Sequence, residues 1–399
     1  MLMKDKCRIA VLNSHPIQYF APMYSYINEH SKSIEIVAIY GSDFGLSDNV
    51  DPGFSKVIKW DVDLLRGYKA IILGAPNRKL APKGFFSLIN LKIWGEIRSG
   101  KYDALWMHGY NHAYYFIAFL AAKSKRLPIL FRGETHLGLK RSKWKTVAHN
   151  IFAWIFFKNI DVCLSIGTAN ALYYKSHGVP DEKIVSVPYA VDNARFINES
   201  KELVEGRGFT RESLGIPHEL PVILFASKFT KRKNPADLII AASILKDKGY
   251  QFWVLMVGSG ELEGCLKELA LKRNISNIVF TGFINQTKLP ELYALSDIFV
   301  LPSAQEPWGL VVNEAMCSGL PIVASSEVGC VNDLVHEGIN GYIVEPNQPL
   351  ELSQALEKIL NVEQMRLKMM GQKSLEIIQS WSYEECKNGI EVAIQRVKA

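Results

Sequence analysis

Two carboxylates, Glu306 and Glu314, stand with seven residues between them in the stretch FVLPSAQEPWGLVVNEAMCSGLPIVA, residues 299–324. A carboxylate can accept hydrogen bonds from two hydroxyls at once, which suits a ribose diol or a hexose ring. A spacing of eight is not a whole number of helical turns, so the two side chains need not share a face. The neighbouring residue types favour the same kind of ligand. Pro307 suits a helix start, and Gly309 lets a ligand come close to the backbone. Amides at the helix start, at Leu310 and Val311, favour a phosphate or another anion. An arbitrary pair of glutamates is ordinarily a pair of solvated surface charges; this setting argues instead for a sugar or nucleotide site.

Upstream, LFASKFTKRKN (Leu224–Asn234) puts four basic residues after a strand-like run. Ser227, Lys228 and Lys233 flank a loop that leads into a helix. Ammonium groups near a helix N-terminus neutralise a diphosphate without a metal ion. Gly258 lies in a glycine turn, VGSGELE, and TGFIN (Thr281–Asn285) follows another strand end. In the first half, polar residues gather after strand-like runs: His15 and Gln18 in NSHPIQYFAPMY, His108 in WMHGYNH, and Arg132, Glu134 and His136 in FRGETH. A lone histidine at a strand end is more often structural than functional.

The elements that position these residues alternate. Strand-like runs at Arg8–Asn13, Ile34–Tyr40, Ala104–His108, Pro128–Phe131, Val162–Ser165 and Lys183–Val187 are interleaved with helical patterns at Pro22–Glu29, Leu88–Arg98, Ala113–Lys123, Lys143–Lys158 and Ala169–Ser176. Weaker strand candidates lie near Val57–Val62 and Lys69–Leu73. Between Tyr189 and Pro221 the periodicity fades, as in a linker. Alternation resumes with strands at Val222–Ala226, Phe252–Val257, Ile278–Thr281, Ile298–Leu301 and Tyr342–Val344, and the tail from Leu350 to Lys398 is helical with a break near Ser380–Ser382. Such alternation predicts two α/β, doubly wound parallel sheets, each binding ligand at its strands' carboxyl ends.

The string at 299–324 resembles the Glu-x7-Glu signature of retaining glycosyltransferases of the GT-B fold, specifically the GT4 family. The likeness covers both glutamates, PWGLV, the Glu-Ala-Met run and the Gly-x-Pro behind it. It implies two Rossmann-like domains with parallel sheets facing across a cleft: an acceptor-binding domain at 1–195, a nucleotide-sugar-binding domain at 196–380, and a helix at 381–399 crossing back to the first. It implies that Glu306 holds hydroxyls of the donor hexose, Glu314 the ribose, and Lys228 and Lys233 the leaving diphosphate. His108 would join them at the reacting centre. Ser227, Gly258, Gly309, Leu310 and Val311 would line the donor, with backbone groups at Phe283 and Ile284 reading the nucleobase. His15, Gln18, Arg132 and Glu134 are the acceptor-side candidates. The chain departs from the family pattern in having Ser227-Lys228-Phe229 for Gly-Arg-Leu, Lys233-Asn234 for Lys-Gly, and Cys330 for the second glycine of a Gly-Gly loop. Lysine in place of arginine at 228 gives up bidentate geometry. The donor is then a nucleotide diphosphate sugar as substrate, with no separate cofactor and no metal.

Bulk properties set the class. The chain has 399 residues, 48% of them apolar and 22% charged, ordinary for a globular protein of two or three domains. Its six cysteines are scattered, as reduced core residues would be. The charge is uneven: residues 1–195 carry 26 Lys+Arg against 15 Asp+Glu, and the remainder 20 against 25. A basic half suits an anionic neighbour. No nucleic-acid recognition motif accompanies the charge. The segment LKRSKWKTVAHNIFAWIFFK, Leu139–Lys158, is basic then aromatic. It reads either as a core-facing helix with a solvated start, or as peripheral contact with an anionic membrane through Lys140, Arg141, Lys143 and Lys145, with Trp144 near the headgroups. Apolar runs are too short to span a bilayer, and the N-terminus enters a strand directly. The expectation is a cytoplasmic enzyme, or one peripheral on the inner face of the cell membrane, that glycosylates a glycan or lipid-linked acceptor in surface polysaccharide or lipopolysaccharide synthesis. The competing readings are a catalytically silent GT-B subunit that binds sugar nucleotides as a scaffold, and a GT-B sugar-nucleotide epimerase.

Overall fold

The protein was analysed as a computed structural model, which describes residues 6–46, 48–51, 53–54, 56–74, 84–138 and 143–398, without the side chains of 49–51, 143–146 and 148. In chain order the first half contributes β1 (Cys7–Asn13), β2 (Ile34–Tyr40), two short strands β3 (Asn49–Asp51) and β4 (Lys56–Ile58), then β5 (Lys69–Ile72), β6 (Ala104–His108), β7 (Ile129–Arg132), β8 (Val162–Ser165) and β9 (Ile184–Ser186). Seven of them form one sheet in the order β5-β2-β1-β6-β7-β8-β9, with neighbouring strands parallel among the described residues. The second half gives β10 (Val222–Ala226), β11 (Trp253–Val257), β12 (Ile278–Gly282), β13 (Ile298–Leu301), β14 (Ile322–Ser325) and β15 (Gly341–Val344), ordered β12-β11-β10-β13-β14-β15, again parallel.

The sequence accounts for both sheets. A parallel sheet is covered by helices on its two faces, so its strands run apolar without alternation. Ile9–Leu12, Val222–Phe225 and Ile298–Leu301 are each fully buried along their length. Chain order reverses beside β1, between it and β6, and beside β10, between it and β13. Ligands bind open α/β sheets at such points, outside the carboxyl ends of the strands.

The chain divides into two compact units. The first contains the chain up to Val50, Val57–Ala190 and the C-terminal segment from Ser382; the second contains Asp51–Lys56 and Val191–Trp381. In the first unit the helix Tyr383–Lys398 packs on β8, β9 and the helix Phe20–His30, burying Cys386, Ile390 and Ala393. Gly389 permits this: a Cβ there would stand 2.2 Å from the Ser186 carbonyl oxygen.

The segment read as a linker is folded. It forms helices Asn193–Leu203 and Arg207–Ser213, both in the second unit. Asp192 caps the first, its carboxylate accepting from the Arg195 amide at 3.1 Å, and Phe196 is buried edge-on to Tyr293. The helix packs against Leu289–Ala294 and Leu310–Cys317, so tertiary burial of one aromatic, not a periodic apolar stripe, holds it. The helical tail breaks twice, giving Pro349–Leu360, Gln364–Ile378 and Tyr383–Lys398. Five cysteines are buried and Cys265 is exposed.

Candidate active site

In the second unit the site grows from the loop after β13. β13 ends at Leu301, and Glu306 follows within a loop held in place by its neighbour. The Glu306 amide donates to the Glu327 carbonyl at 3.0 Å, and the Gly329 amide donates to the Glu306 carbonyl at 3.0 Å. Gly329 has to be glycine, because a Cβ there would lie 2.0 Å from the Pro307 carbonyl oxygen. Gly309 takes a left-handed conformation (φ 100°) as the N-cap of the helix Leu310–Cys317, and its missing Cβ would meet Val328 at 2.9 Å. Amides in a helix's first turn, here those of Leu310 and Val311, have no carbonyl one turn back. Cys330, where a glycine was expected, is fully buried, and burial holds its thiol well above the usual range.

Glu306 is drawn toward the basic loop after β10. Its Oε2 accepts from the Lys233 ammonium and, at 3.0 Å, from Arg232 Nη1. The Ala304 amide donates to the Arg232 carbonyl at 2.9 Å, which ties the two loops together. Glu306 and Lys233 are 8% and 7% exposed. Burial lowers the Lys233 pKa, and the Glu306 charge opposes that shift. Lys228 lies with its ammonium 4.6 Å from the centre of the Phe54 ring, and Phe54 packs edge-on to Phe283 at 4.8 Å. Ser227 and Gly258 meet where the loops after β10 and β11 run together: the Ser227 amide donates to the Val257 carbonyl at 3.0 Å, and a Cβ on Gly258 would be 2.0 Å from the Ser227 carbonyl oxygen. Ile284 sits half-buried beside Phe283 on the loop leaving β12.

Glu314 is placed differently. It is wholly buried inside the helix Leu310–Cys317 and accepts from the Tyr293 hydroxyl at 2.8 Å. The two glutamates therefore engage different partners, Glu306 the cations and Glu314 a tyrosine.

In the first unit, β6 and β7 pair with His108 opposite Arg132. Both line a cavity of about 630 Å³, with Asn13, Ser14, Glu134 and Tyr174 among its walls. Asn13 Nδ2 donates to the Tyr24 hydroxyl at 2.7 Å, and that hydroxyl lies 3.0 Å from His108 Nε2. Burial, then the Arg132 charge, holds His108 well below its usual pKa, so the ring is neutral. Glu134 accepts from the Tyr189 hydroxyl at 2.6 Å. His15 and Gln18 are not among the cavity's lining residues; His15 bonds Ser14 at 2.9 Å and packs edge-on to Phe44. His136 is buried and accepts the Gly138 amide at 3.2 Å.

Sequence reasoning passed over Arg232 and Tyr293, which supply partners to the two glutamates. Arg232 lies in the run Lys231-Arg232-Lys233, and only the loop's conformation distinguishes its members. The Asp-x-Asp string Asp61–Asp63, a pattern associated with metal-assisted sugar transfer, forms a turn in which Asp63 accepts the Leu65 amide at 3.0 Å. Among the described residues no group of three metal-ligating side chains occurs. Of the residues read as membrane-docking, Lys140 and Arg141 lie outside the described residues, as do the side chains of Lys143, Trp144 and Lys145.

Comparison with known proteins matches residues 206–374 to the family described as glycosyl transferases group 1. The chain is 26% identical over 299 residues to an uncharacterised glycosyltransferase of Methanocaldococcus jannaschii, covering 73% of this chain and 75% of that one. It is 31% identical over 204 residues to a D-inositol 3-phosphate glycosyltransferase of Corynebacterium urealyticum, covering 49% of this chain and 46% of the relative. Its fold is that of Anabaena HepE, solved in complex with UDP, at a TM-score of 0.72 and 16% identity, over 97% of this chain and 98% of that one. The two parallel-sheet units are those of the GT-B glycosyltransferases.

Proposed function

We propose that this chain, a glycosyltransferase carrying the group 1 domain over residues 206–374, moves a hexose-type sugar from a nucleotide diphosphate sugar to a glycan or glycolipid acceptor, with retention at the anomeric carbon and no metal requirement. One observation carries the reading. Glu306, Lys233 and Arg232 are bonded together at the carboxyl ends of β13 and β10, beside the helix start at Gly309. An acidic group for sugar hydroxyls thus stands beside cations and amides suited to a diphosphate.

The chemistry follows from donor count. The Lys233 ammonium has three N–H groups and gives one to Glu306, leaving two for phosphate oxygens. Arg232 likewise keeps donors beyond the one given to Glu306. As the bond from anomeric carbon to diphosphate oxygen breaks, negative charge grows on the leaving group, and fixed cations stabilise that charge. The acceptor hydroxyl attacks from the same face, and its proton passes to a leaving phosphate oxygen. No side-chain base is then required. Glu314, one turn inside the same helix and bonded to Tyr293, is the residue assigned to the ribose hydroxyls, and Lys228, Ser227, Gly258, Phe283 and Ile284 surround the nucleotide. His108, Arg132 and Glu134 serve the acceptor in the first unit.

The test is a thermal-shift screen with UDP-, GDP-, ADP- and dTDP-sugars, since a ligand bound only by the folded state raises the melting temperature. The UDP found on HepE makes UDP-sugars the first choice. One nucleotide series is expected to stabilise the protein and to support transfer in EDTA. Stabilisation without transfer to any acceptor fraction leaves the scaffold reading, and no stabilisation by any series defeats the proposal.

Peripheral membrane contact has support in the helix Lys143–Lys158. Val147, Ile151, Trp154 and Ile155 recur at helical spacing and are 58%, 58%, 48% and 53% exposed. The sequence just before them is basic, so the occupant this face suits is an anionic bilayer. No helix among the described residues is long and apolar enough to cross a membrane. Co-sedimentation with phosphatidylglycerol vesicles, reduced by I151S/W154S and absent with phosphatidylcholine, is the expected outcome; equal sedimentation of the double variant overturns this assignment. A lipid-linked acceptor, and with it a role in surface polysaccharide or lipopolysaccharide synthesis, accords with such contact.

A further inference from the structure

Arg132 is a buried cation with no carboxylate paired to it among the described residues, only two rings and the neutral Cys386 thiol against it. It ends β7, is 2% exposed, and none of its three guanidinium nitrogens has a hydrogen-bond partner among the described residues. Its guanidinium carbon lies 4.9 Å from the Tyr189 ring centre and 5.5 Å from that of Phe20. Rings attract a cation weakly and leave the in-plane N–H donors unused. The Cys386 thiol feels the charge but cannot balance it, because burial pushes that thiol up to about 12 and it stays neutral, donating to the Pro188 carbonyl at 3.1 Å. His108, opposite in the sheet, is neutral too. The carboxylate two residues on, Glu134, is engaged by Tyr189.

Burying an unpaired charge is strongly unfavourable, and one at a cavity wall is held for a ligand's opposite charge. The cavity's volume of about 630 Å³ is that of a small-molecule site. Asn13, Ser14 and Asn170 on its walls are groups that bond hydroxyls. The bulk charge of the first half says nothing of where an anion would sit; this arginine does.

We propose that Arg132 binds a carboxylate or phosphate on the acceptor, in the first unit's cavity, so that the acceptor is an acidic or phosphorylated sugar. Its planar fork matches either anion bidentately. This rests on the reading of the chain as a glycosyltransferase with its acceptor in the first unit, and it deepens that reading by naming the acceptor's chemistry.

Isothermal titration of the full chain with glucuronate, inorganic phosphate and glucose tests it. Glucuronate or phosphate is expected to bind where glucose does not, and the better of the two identifies the anion. Arg132→Gln is expected to weaken that binding at least tenfold, a change of about 1.4 kcal/mol. Lys233→Met separates this from any phosphate site in the second unit and should leave glucuronate binding unchanged. UDP titrated into Arg132→Gln serves as the folding control. Anion binding that persists in Arg132→Gln, or no anion binding to the wild type, overturns the proposal. Loss of UDP-sugar binding from the wild type defeats the donor reading instead, and the anion titrations still report on Arg132. Arg132→Met gives a second readout. Removing an unpaired buried charge should raise the melting temperature of the unliganded protein, and a fall would mark Arg132 as structural.

Discussion

Lys233 and Glu306 form an ion pair whose two members are both more than nine-tenths buried, at the point where two loops of the second sheet meet. Each makes the other tolerable. Burial depresses the lysine's pKa, and the carboxylate restores part of its preference for charge. Such a pair contributes little net stability but is costly to break from one side. It lies at the sheet's topological switch point, where open α/β sheets bind ligands, beside a left-handed glycine.

Glu306→Gln tests the pair without removing its volume. Turnover is expected to fall on the order of a hundredfold or more, with the circular dichroism spectrum retained. With the carboxylate gone, Lys233 loses its proton at lower pH, so the alkaline limb of the remaining activity moves to lower pH. The stability sign follows from the same shift. The folded state binds fewer protons than the unfolded state between the lowered Lys233 value and the ordinary 10.5, so this lysine's contribution to stability improves as pH rises through that window. A variant with wild-type turnover would remove Glu306 from the mechanism.

Arg232 and Lys231 are adjacent basic residues of which only Arg232 bonds Glu306. A hydrogen bond to a charged group contributes about 1.5–3 kcal/mol, so Arg232→Ala should lower kcat/KM roughly 10- to 100-fold. Lys231→Ala should leave it unchanged. Steady-state kinetics on the two variants decide the matter, and equal losses would make the contact incidental.

Gly329→Ala forces a methyl group to within 2.0 Å of the Pro307 carbonyl oxygen, which only backbone movement relieves. Overpacking of this kind costs about 1–3 kcal/mol. The melting temperature should fall by several degrees and donor affinity with it, because the same loop carries Glu306. Gly264→Ala is the control. It lies in the helix Glu263–Lys272 with open space around it, and alanine there should stabilise by about 0.5–1 kcal/mol. Differential scanning calorimetry of the two variants reads both signs.

His108 gives a pH prediction in the first unit. Its folded pKa lies well below 6.5, from burial first and Arg132 second. The unfolded chain protonates this ring at 6.5 and the folded one resists, so stability falls as pH drops from 6.5 toward the folded value. His108→Gln should flatten that part of the stability curve, measured by urea unfolding from pH 7 to pH 5. An unchanged slope would assign the acid sensitivity to other groups.

The parts of the fold that could be read from sequence were those carried by local pattern. Apolar runs such as Val222–Ala226 have the same bounds in sequence and structure, as does the helix Lys143–Lys158. Gly309 was legible as a place for close backbone approach, but its left-handed conformation at the helix start shows only in the folded loop. The folded helices at 193–213 escaped notice because a cap at Asp192 and one buried phenylalanine replace a periodic stripe. Arg232 and Tyr293 escaped because a contact between loops about 70 residues apart, or between two helices, leaves no spacing to find. His15 and Gln18 follow β1 as their position required; Asn13 and Ser14 of the same segment line the cavity, and His15 bonds Ser14.

The helix Tyr383–Lys398 belongs to the first unit although it is translated after the second. On the ribosome, the first sheet therefore emerges with β8 and β9 uncovered along the surface this helix will take, and must wait through the synthesis of roughly two hundred residues for its last layer. The second unit is contiguous apart from Asp51–Lys56 and has no comparable wait. Emergence of residues 383–398, rather than of the N-terminal half, is then the event that completes the first unit, and a nascent chain arrested before residue 383 should display it as a protease-sensitive, chaperone-binding intermediate.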